Sequence, residues 1–570
     1  MLEVQLTPAE SAEAIGLWSA AARRMIEALD WPAGQIAARG WPGGAELGLT
    51  APTDQLLTAT DVNEWAWTQA ALALGRDLGP PGLRPGTTPN GFDDALPHLR
   101  AMARAEARPP FAALEREARS RQAPFRWDEQ TVWIGSGRHA MAWPRDALPS
   151  PEAVSWAERS VVPTALVTGS NGKTTTTRLL AAMLRAHGLH TGHCCTDGVF
   201  VDGETLALGD YAGPLGALTT LAHPRVEAAV LETARGGILR RGLVATGADV
   251  AIVTNVQLDH FGEYGIDSHA ATAAVKLTVA KAVRDGGWLV LNGGDRHLVA
   301  GEPSVRPTVH RAWFAVDPTD LVARSGQRTA TLEDDRLVVR DGTTRQPLAR
   351  VDEMPLSAGG VARYNIENAM AAGLAAWCLG IPATTIHRVI TTFGTDAADN
   401  PGRLETWRLA TVTVLTDYAH NPEGISGLLT VARSLAPKRL LLLLGQAGNR
   451  TDDAIRALAA AAWAFRPDHV VLKDLESFLR GRAPGEVPGI LADELRRLGL
   501  PDERMECVLP EVDAVRTVLA RTRDGDVLVL PVHGAAARAE VAALLRQLAN
   551  DGWRAGMLLP ERAPLPPANT

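Results

Sequence analysis

Residues 164–174, Thr-Ala-Leu-Val-Thr-Gly-Ser-Asn-Gly-Lys-Thr, combine the residue types that hold phosphate groups in proteins. Ala165–Val167 predict a short buried strand, and a turn that contains Gly169 and Gly172 follows it. Apolar residues at helical spacing over 173–186 predict a helix that begins directly after the turn. Glycines let backbone N–H groups approach an anion, and a helix N-terminus adds partial positive charge. The stretch therefore predicts a nucleotide-binding phosphate loop, in preference to an ordinary strand–helix turn.

Two side chains in this stretch could do chemistry on a nucleotide. Lys173 can reach the outer phosphates, and the hydroxyl of Thr174 can ligate Mg²⁺. A full phosphate-loop pattern has a glycine five positions before Gly172, where this chain has Val167, so the loop is a shortened variant. The candidate nucleotide contacts of the loop are Gly169, Ser170, Asn171, Gly172, Lys173, Thr174 and Thr175.

Size and composition limit the classes of protein to which this chain could belong. At 570 residues we expect about three or four domains. A net charge of -8 and the absence of a long basic run argue against nucleic-acid binding. No apolar stretch reaches the length of a membrane span, and the first residues do not resemble a signal peptide. The four cysteines lack zinc spacing, so a reducing cytoplasm is the predicted location.

Residues 1–155 differ from the rest of the chain because they are rich in tryptophan. Helical patterns at 8–29 and 61–76 and strand-like patterns over 124–143 predict a separate N-terminal domain. The tryptophans could form a ligand-binding surface, but core packing is the more frequent role of this residue. No catalytic pattern or second phosphate loop occurs here, so the role of this domain stays open.

Strand and helix patterns alternate over residues 156–399, which predicts an α/β domain with a doubly wound parallel sheet. A small antiparallel insertion is expected over 305–352. In parallel sheets the ligand lies beyond the carboxyl ends of the strands. Three predicted strands end in polar residues and should bring them to the same edge: the phosphate loop, Glu232, and the segment from Asn255 to His260.

A second α/β domain, of Rossmann-like type, is predicted over 400–552, with strand patterns at 411–416, 439–444, 469–473 and 526–531. The proline-rich residues 553–570 are expected to form a tail.

Charged residues of both α/β domains suggest how a magnesium nucleotide could be held. Glu232 could hold the ion, and His260 is a second possible ligand, although oxygen ligands are preferred. Arg403 could neutralise charge on a transferring phosphoryl group, and Asp417 could accept the ribose hydroxyls. We therefore expect two domains that close on ATP and exclude water from a reactive acyl-phosphate.

At these residues the chain resembles the Mur ligase superfamily of ATP-dependent amide ligases. The resemblance covers 160–550 and rests on five ordered motifs: the phosphate loop, Thr254–His260, Asn365 with Asn368, the Pro-Gly-Arg that ends at Arg403, and Asp417–Pro422. A closer resemblance is to the C-terminal ligase half of the cyanophycin synthetase branch, carried by Thr196–Gly198, Gly209–Pro214 and Leu231–Arg240. The sequence before residue 156 is too short for the ATP-grasp domain of that branch and does not clearly match its N-terminal domain, so we expect something other than a complete cyanophycin synthetase.

The resemblance implies roles for individual residues. Lys173 and Thr174 would bind phosphate and Mg²⁺, and Asn255 would contact the nucleotide. Glu232 and His260 would bind metal, and Lys276 would carry a carbamate that helps to hold a second Mg²⁺. Asn365 or Asn368 would line the adenine pocket, with Arg403 on the γ-phosphate and Asp417 on the ribose. Lys173, His260, Lys276 and Arg403 are the catalytic candidates. Asp197 and Asp210 are candidates for holding a substrate amine.

The predicted function is an ATP- and Mg²⁺-dependent acid–amino acid ligase that acts through an acyl-phosphate. The expected partners are ATP, an amino acid and a carboxylate-bearing acceptor, such as a cyanophycin-like acidic peptide, with a homo-oligomer or a partner synthetase as possible assemblies. Two alternatives stay open: a catalytically silent nucleotide-binding partner of a polymer synthetase, and a folylpolyglutamate-type ligase. The sequence does not identify the amino acid or the acceptor.

Overall fold

The computed structural model describes residues 1–31, 34–41, 43–76, 89, 91–257 and 266–562. These residues form two compact units, one built on residues 1–161 and the other on residues 162–257 with 267–562. The predicted His260 and the end of the proline-rich tail lie outside the described residues.

The first unit contains two antiparallel three-stranded sheets, with strand orders β1-β3-β2 and β4-β5-β6. Helix α2 begins at Leu56, five residues before the helical pattern predicted from the sequence. The elements are β1 Leu2–Gln5, α1 Ser11–Ala28, β2 Ile36–Trp41, β3 Gly44–Leu49, α2 Leu56–Ala73, α3 Phe92–Glu106, α4 Pro109–Ser120, β4 Phe125–Trp127, β5 Thr131–Ile134 and β6 Met141–Pro144.

Tryptophans of the first unit form part of its core. Trp18 and Trp65 are buried, and the indole N–H of Trp18 donates to Asn63 Oδ1 at 2.8 Å. Trp31 is also buried and donates to Gln55 Oε1 at 2.7 Å. A buried indole requires such a partner for its N–H group. These three side chains therefore have the packing role that the sequence favoured over a ligand surface.

The second unit begins with a large sheet of strand order β10-β9-β8-β11-β7-β12-β13-β14-β15-β16-β17. Helices α5 and α10 pack on it around one apolar core. The elements are β7 Thr164–Thr168, α5 Lys173–Ala186, β8 Thr191–Cys195, β9 Gly198–Val201, β10 Glu204–Leu208, α6 Pro214–Ala222, β11 Ala228–Glu232, α7 Arg235–Arg241, β12 Ala248–Val253, α8 His269–Leu277, β13 Val283–Asn292, α9 Arg296–Gly301, β14 His310–Ala315, β15 Arg328–Glu333, β16 Arg336–Asp341, β17 Thr344–Arg350, α10 Arg363–Cys378 and α11 Ala383–Ile390.

The large sheet is mixed, whereas the sequence predicted a parallel sheet with a separate antiparallel insertion. The strands from β8 through β15 in the sheet order pair in parallel, whereas β9 and β10 at one edge and β16 and β17 at the other are antiparallel. Short turns join the antiparallel strands, and a turn of this length cannot make the crossover that a parallel pair requires. The antiparallel strands expected within 305–352 therefore extend the main sheet.

The C-terminal sheet has the strand order β18-β19-β23-β20-β21-β22, and all its pairs are parallel except β18 with β19. Its elements are β18 Glu405–Leu409, β19 Val412–Asp417, α12 Pro422–Ser434, β20 Leu440–Leu444, α13 Asp452–Trp463, β21 His469–Leu472, α14 Glu486–Arg497, β22 Met505–Cys507, α15 Glu511–Ala520, β23 Val527–Pro531 and α16 Ala535–Asn550.

Strand β20 shows why a continuous apolar run marks a strand that helices cover on both faces. Leu440, Leu442 and Leu444 contribute to the core on one face of the sheet, and Leu441 and Leu443 to the core on the other. Successive side chains of a strand point to opposite faces, so a doubly covered strand needs apolar residues at every position. Among the described residues, no helix is long and apolar enough to cross a membrane.

We predict that Leu442→Ala lowers the free energy of unfolding by about 2–5 kcal/mol, because the lost methyl groups leave a cavity in a close-packed core. Chemical denaturation followed by circular dichroism measures this change. The control is Leu558→Ala, at a side chain that is 96% exposed, which should change stability by less than about 0.5 kcal/mol. Equal effects of the two variants would contradict the doubly covered sheet.

Candidate active site

A cavity of about 650 Å³ in the second unit is lined by residues from both of its sheets. The large sheet contributes the phosphate loop, Glu232 at the end of β11 and Asn255 beyond β12. The C-terminal sheet contributes Asp417, the last residue of β19, and the following residues as far as His420. Arg403, which precedes β18, also lines the cavity. In each sheet the lining lies at the carboxyl end of parallel strands, where α/β folds bind ligands.

The phosphate loop is held in place by the chain that leaves β12. The backbone N–H groups of Ser170 and Asn171 donate to Asn255, at 3.0 Å to its carbonyl oxygen and 2.9 Å to its side-chain Oδ1. In return, Thr254 Oγ1 donates to the Asn171 carbonyl at 2.6 Å. Gln257 N donates to Ser170 Oγ at 2.8 Å. Asn255 therefore shapes the loop, a role that its position in the sequence does not reveal.

The two glycines of the loop are required by close contacts as well as by backbone conformation. Gly169 has φ of +148° and Gly172 has φ of +84°, backbone angles that residues with a Cβ rarely adopt. A Cβ on Gly169 would lie 1.8 Å from Thr254 Oγ1, and a Cβ on Gly172 would lie 2.0 Å from Asn368 Oδ1. The loop therefore tolerates no larger residue at either position.

Glu232 is a buried carboxylate, 1% exposed, whose contacts are hydroxyl and amide groups. Thr174 Oγ1 donates to Glu232 Oε2 at 2.9 Å, and Thr196 donates from its backbone N at 3.3 Å and from its hydroxyl at 3.1 Å. No cationic partner for this carboxylate occurs within the part of the chain that the structure describes. A buried charge needs a counterion, and Glu232 with Thr174 forms a pair of hard oxygen ligands of the type that Mg²⁺ prefers. These residues therefore fit a magnesium ion.

Asn365 and Asn368 lie on the first turns of α10 and line the cavity. Asn365 Nδ2 donates to the Leu356 carbonyl at 3.0 Å, and Asn368 Nδ2 donates to Asn365 Oδ1 at 3.1 Å. Asn368 Oδ1 accepts from Thr176 Oγ1 at 3.4 Å. The pair is thus fixed by its own contacts, and Asn368 packs against the phosphate loop through Gly172.

Asp417 fixes the segment that carries Arg403. Its carboxylate accepts from the backbone N of Leu404 at 2.6 Å. The Arg403 guanidinium lies over the Tyr418 ring, 4.5 Å from its centroid. Burial raises the pKa of Asp417, and Arg403 and the neighbouring backbone N–H groups oppose that effect. Arg403 and Asp417, for which the sequence predicted separate roles on the γ-phosphate and the ribose, are therefore neighbours beside the cavity.

Asp197 is the centre of an arginine cluster that the sequence did not predict. Its carboxylate contacts Arg178 of α5 at 2.7 Å, Arg538 of α16 at 2.6 Å and Arg403 at 3.6 Å. Burial alone would raise the pKa of Asp197, but the three guanidinium groups hold it below its ordinary value. Both carboxylate oxygens are engaged, so the suggestion that Asp197 holds a substrate amine does not fit its surroundings. Arg178 and Arg538 lie within ordinary helical patterns, and nothing in those patterns predicts that either arginine contacts Asp197.

An amide pair also joins the phosphate loop to the C-terminal sheet. Asn421 Nδ2 donates to Asn171 Oδ1 at 2.8 Å, and Asn171 Nδ2 donates back to Asn421 Oδ1 at 3.3 Å. Asn421 is also the N-cap of α12, where its Oδ1 accepts from Gly424 N at 2.8 Å. The two residues are 250 positions apart, so no local pattern could have linked them.

The remaining predicted residues have different surroundings. Lys276 lies on α8 and is 3% exposed, in contrast to the usual surface position of a lysine on a helix. Asp210 is exposed, and its carboxylate accepts from the backbone N of Ala212 at 3.1 Å. Lys173 Nζ donates to the Ser170 carbonyl at 3.0 Å, within its own loop. The described ranges contain no cluster of three His, Cys, Asp or Glu side chains that could hold a metal by itself.

Comparison with known protein families assigns both parts of the second unit. Residues 167–376 match the Mur ligase middle domain, and residues 402–531 match the Mur ligase glutamate ligase domain. Residues 167–531 belong to the Mur ligase family. This assignment confirms the family that the ordered motifs of the sequence indicated.

Relatives of this Mur ligase core include cyanophycin synthetases. That of Crocosphaera subtropica is 35% identical over 401 residues, which is 70% of this chain and 45% of the relative. The chain thus spans less than half the length of this relative. The UDP-N-acetylmuramoyl-L-alanyl-D-glutamate–2,6-diaminopimelate ligase of Bacillus cereus is 23% identical, over 65% of this chain and 72% of that one. Among solved structures, MurF from Acinetobacter baumannii aligns with a TM-score of 0.49 at 16% identity, covering 68% of this chain and 77% of that one.

We predict that Gly172→Ala abolishes ATP binding, because the added methyl group displaces Asn368 and distorts the loop. Isothermal titration calorimetry with Mg·ATP measures the effect. Gly188→Ala is a matched control, since Gly188 also has positive φ, +95°, but no heavy atom lies within 4 Å of the added Cβ. Both variants should lose about 1–2 kcal/mol of stability from backbone strain. If Gly172→Ala still binds Mg·ATP, the loop does not require glycine at this position.

Proposed function

We propose that this protein is an ATP- and Mg²⁺-dependent acid–amino acid ligase that acts through an acyl-phosphate. One observation carries the proposal: the cavity that contains the phosphate loop is also lined by Arg403 and Asp417 from the other domain. A binding protein needs only a site for the nucleotide. A cavity between two domains can additionally position an acceptor carboxylate against the γ-phosphate and exclude water from the product.

The nucleotide would lie along the edge formed by the phosphate loop and α10. The N–H groups of the loop that do not donate to Asn255, those from Gly172 onward, would hold the β- and γ-phosphates together with Lys173, with Thr175 at the start of α5. Asn365 or Asn368 would contact the adenine, and Asp417 would accept the ribose hydroxyls. The positions of these residues along the cavity lining support this arrangement.

Glu232 and Thr174 would hold the magnesium ion. When bound, Mg²⁺ neutralises charge on the phosphate oxygens as the γ-phosphoryl group is transferred. The buried Glu232 carboxylate supports this role because its described contacts are only hydroxyl and amide groups. His260 is proposed as a further metal ligand on the family resemblance. A carbamate on Lys276, helping to hold a second ion, is proposed on the same ground.

The arginine cluster explains how negative charge would be stabilised during the reaction. Arg178, Arg403 and Arg538 share the single Asp197 carboxylate, and Arg403 is the member of this cluster that lines the cavity. In the first step the acceptor carboxylate attacks the γ-phosphorus, ADP leaves, and an acyl-phosphate forms. In the second step the amine attacks the acyl carbon, phosphate leaves, and the amine loses a proton. Arg403 would stabilise the transferring phosphoryl group.

The acceptor class is proposed from Arg403 and from the relatives. Arg403 lines the cavity and could pair with a carboxylate of the acceptor, and cyanophycin synthetases are among the relatives at 35% identity. We therefore propose an acidic peptide, cyanophycin-like or of another type, made by a partner enzyme. The amino acid that supplies the amine is to be found by screening all amino acids with acidic peptides for phosphate release.

We predict that Lys173→Ala lowers amino-acid-dependent ADP formation by at least about 100-fold, because the variant loses the charge that would contact the outer phosphates. A coupled assay for ADP, with product detection by mass spectrometry, measures the rate. Lys281→Ala removes an exposed lysine and serves as the control, with the rate of the wild type expected. A wild-type protein that binds ATP but forms no ADP with any amino acid and acceptor would indicate the silent nucleotide-binding alternative.

We also predict that Lys276→Ala loses turnover and that added short carboxylates, such as formate or acetate, restore part of it. A carboxylate can replace the carbamate oxygens that the variant cannot form. Carbamylation has an independent readout, a mass increase at Lys276 equal to one whole CO₂ plus the group used to trap it, because the amine adds CO₂ without losing an atom. Full activity of Lys276→Ala would refute the assignment.

A further inference from the structure

The C-terminal sheet contains a buried group of charged side chains, Lys473, Glu511 and His533, outside the cavity lining described above. The chain has five lysines among its 57 basic residues, and Lys473 is one that the proposed ligase chemistry does not use. It is 0% exposed, and Glu511 and His533 are each 3% exposed. Burying a charge is costly unless it is paired and hydrogen-bonded, so the contacts of this group must compensate for the burial.

The contacts form one connected network. Lys473 Nζ donates to Glu511 Oε1 and to His533 Nδ1, the latter at 3.2 Å. Glu511 also accepts from the backbone N of His533 at 2.8 Å and of Gly534 at 2.9 Å. On the other side of the ring, His533 Nε2 lies 3.1 Å from the carbonyl oxygen of Ala419. The network thus joins the ends of β21 and β23 and the start of α15 to the segment after β19.

The chemistry of the partners determines the tautomer of His533. The Ala419 carbonyl can only accept, so the ring proton is on Nε2. In the neutral ring Nδ1, which also lies 3.4 Å from Glu511 Oε1, accepts from the Lys473 ammonium group. The Nε2–H group therefore donates to the Ala419 carbonyl.

Ala419 belongs to the segment that faces the nucleotide cavity. Asp417, Tyr418, Ala419 and His420 all line that cavity. The Tyr418 ring lies 5.2 Å from the His533 ring and carries the Arg403 guanidinium on its surface. The position of this segment therefore depends on a side-chain contact made from the interior of the sheet.

We propose that Lys473, Glu511 and His533 form a positioning relay that holds the Ala419 carbonyl, and with it the 417–420 segment, in place for nucleotide binding. This inference rests on the proposed function, because it assigns the segment to the nucleotide. Lys473 fixes the His533 tautomer, Glu511 fixes Lys473, and His533 transmits the constraint to the segment. None of the three touches the substrate.

The charged groups around His533 set its protonation. Burial, with Lys473 and the more distant His420, lowers the pKa of His533 to about 4, and Glu511 opposes this effect. The ring therefore stays neutral at physiological pH. In Lys473→Met the lowering effect of the ammonium is lost while the raising effect of Glu511 stays, so the pKa of His533 should rise.

The first measurement uses variants of His533 in the full chain. His533→Leu should weaken Mg·ATP binding about tenfold, the ratio that corresponds to the loss of one hydrogen bond of ordinary strength. His533→Gln, whose amide can still donate to the Ala419 carbonyl, should lose less. The control is His469→Leu, at the other end of β21, where the ring contacts Glu506 at 3.1 Å and should not affect ATP binding. Titration calorimetry measures binding without any ligase turnover.

The second measurement is ¹⁵N NMR of the histidine rings, which reports the tautomer and pKa of His533 directly. The wild type should show a neutral Nε2–H ring down to about pH 5, and Lys473→Met should show protonation at higher pH. Lys473→Met with Glu511→Gln removes both charges and keeps the test available if the single variant does not fold. ATP binding by the wild type together with unchanged binding by His533→Leu would overturn the relay alone. Absence of ATP binding by the wild type would instead overturn the proposed function.

Discussion

The position of the phosphate loop depends on a constraint imposed by its neighbours. Directly after β12, Asn255 accepts a hydrogen bond from the loop backbone and Thr254 donates one to it. Asn368 of α10 leaves no space for a side chain at Gly172. A loop that must present N–H groups to an anion cannot satisfy those groups internally. Its shape therefore has to come from adjacent elements. Strand β12 pairs with β7 in the sheet, so the residues that follow β12 lie beside the loop that follows β7.

A second constraint is the unequal charge at the junction of the two α/β parts. Three arginines surround one half-buried carboxylate, and each arises from a different part of the chain: α5, the segment before β18, and α16. In isolation such a cluster would be unfavourable because like charges repel at close range. An anionic substrate in the adjacent cavity would supply the compensating charge. The cluster and the buried Glu232 thus carry opposite charge imbalances: the cluster has more cationic than anionic groups, and Glu232 has no cationic partner among the described residues.

The sequence predicted local features of this molecule well. The strand, turn and helix around Lys173 and the buried strand of five leucines were visible because their patterns extend over consecutive residues. Contacts between distant residues were not visible: Arg178, Arg538 and Asn421 are ordinary members of helical or capping patterns. The mixed sheet was also missed, because a strand that continues a sheet and a strand that forms a separate insertion have the same alternation of residues. The expected role of His260 stays a prediction, since it lies outside the described residues.

The amide pair between Asn171 and Asn421 has a mechanical consequence. Asn421 serves both as the cap of α12 and as a contact of the phosphate loop, so the same oxygen atom accepts from Gly424 and from Asn171. Any hinge opening that separates the two parts would remove the Asn171 donor, while Gly424 N could keep its bond to the cap oxygen. The two parts are thus joined at a helix end that is capped with or without the contact. Because both side chains of the pair are neutral, the strength of this junction should depend little on ionic strength.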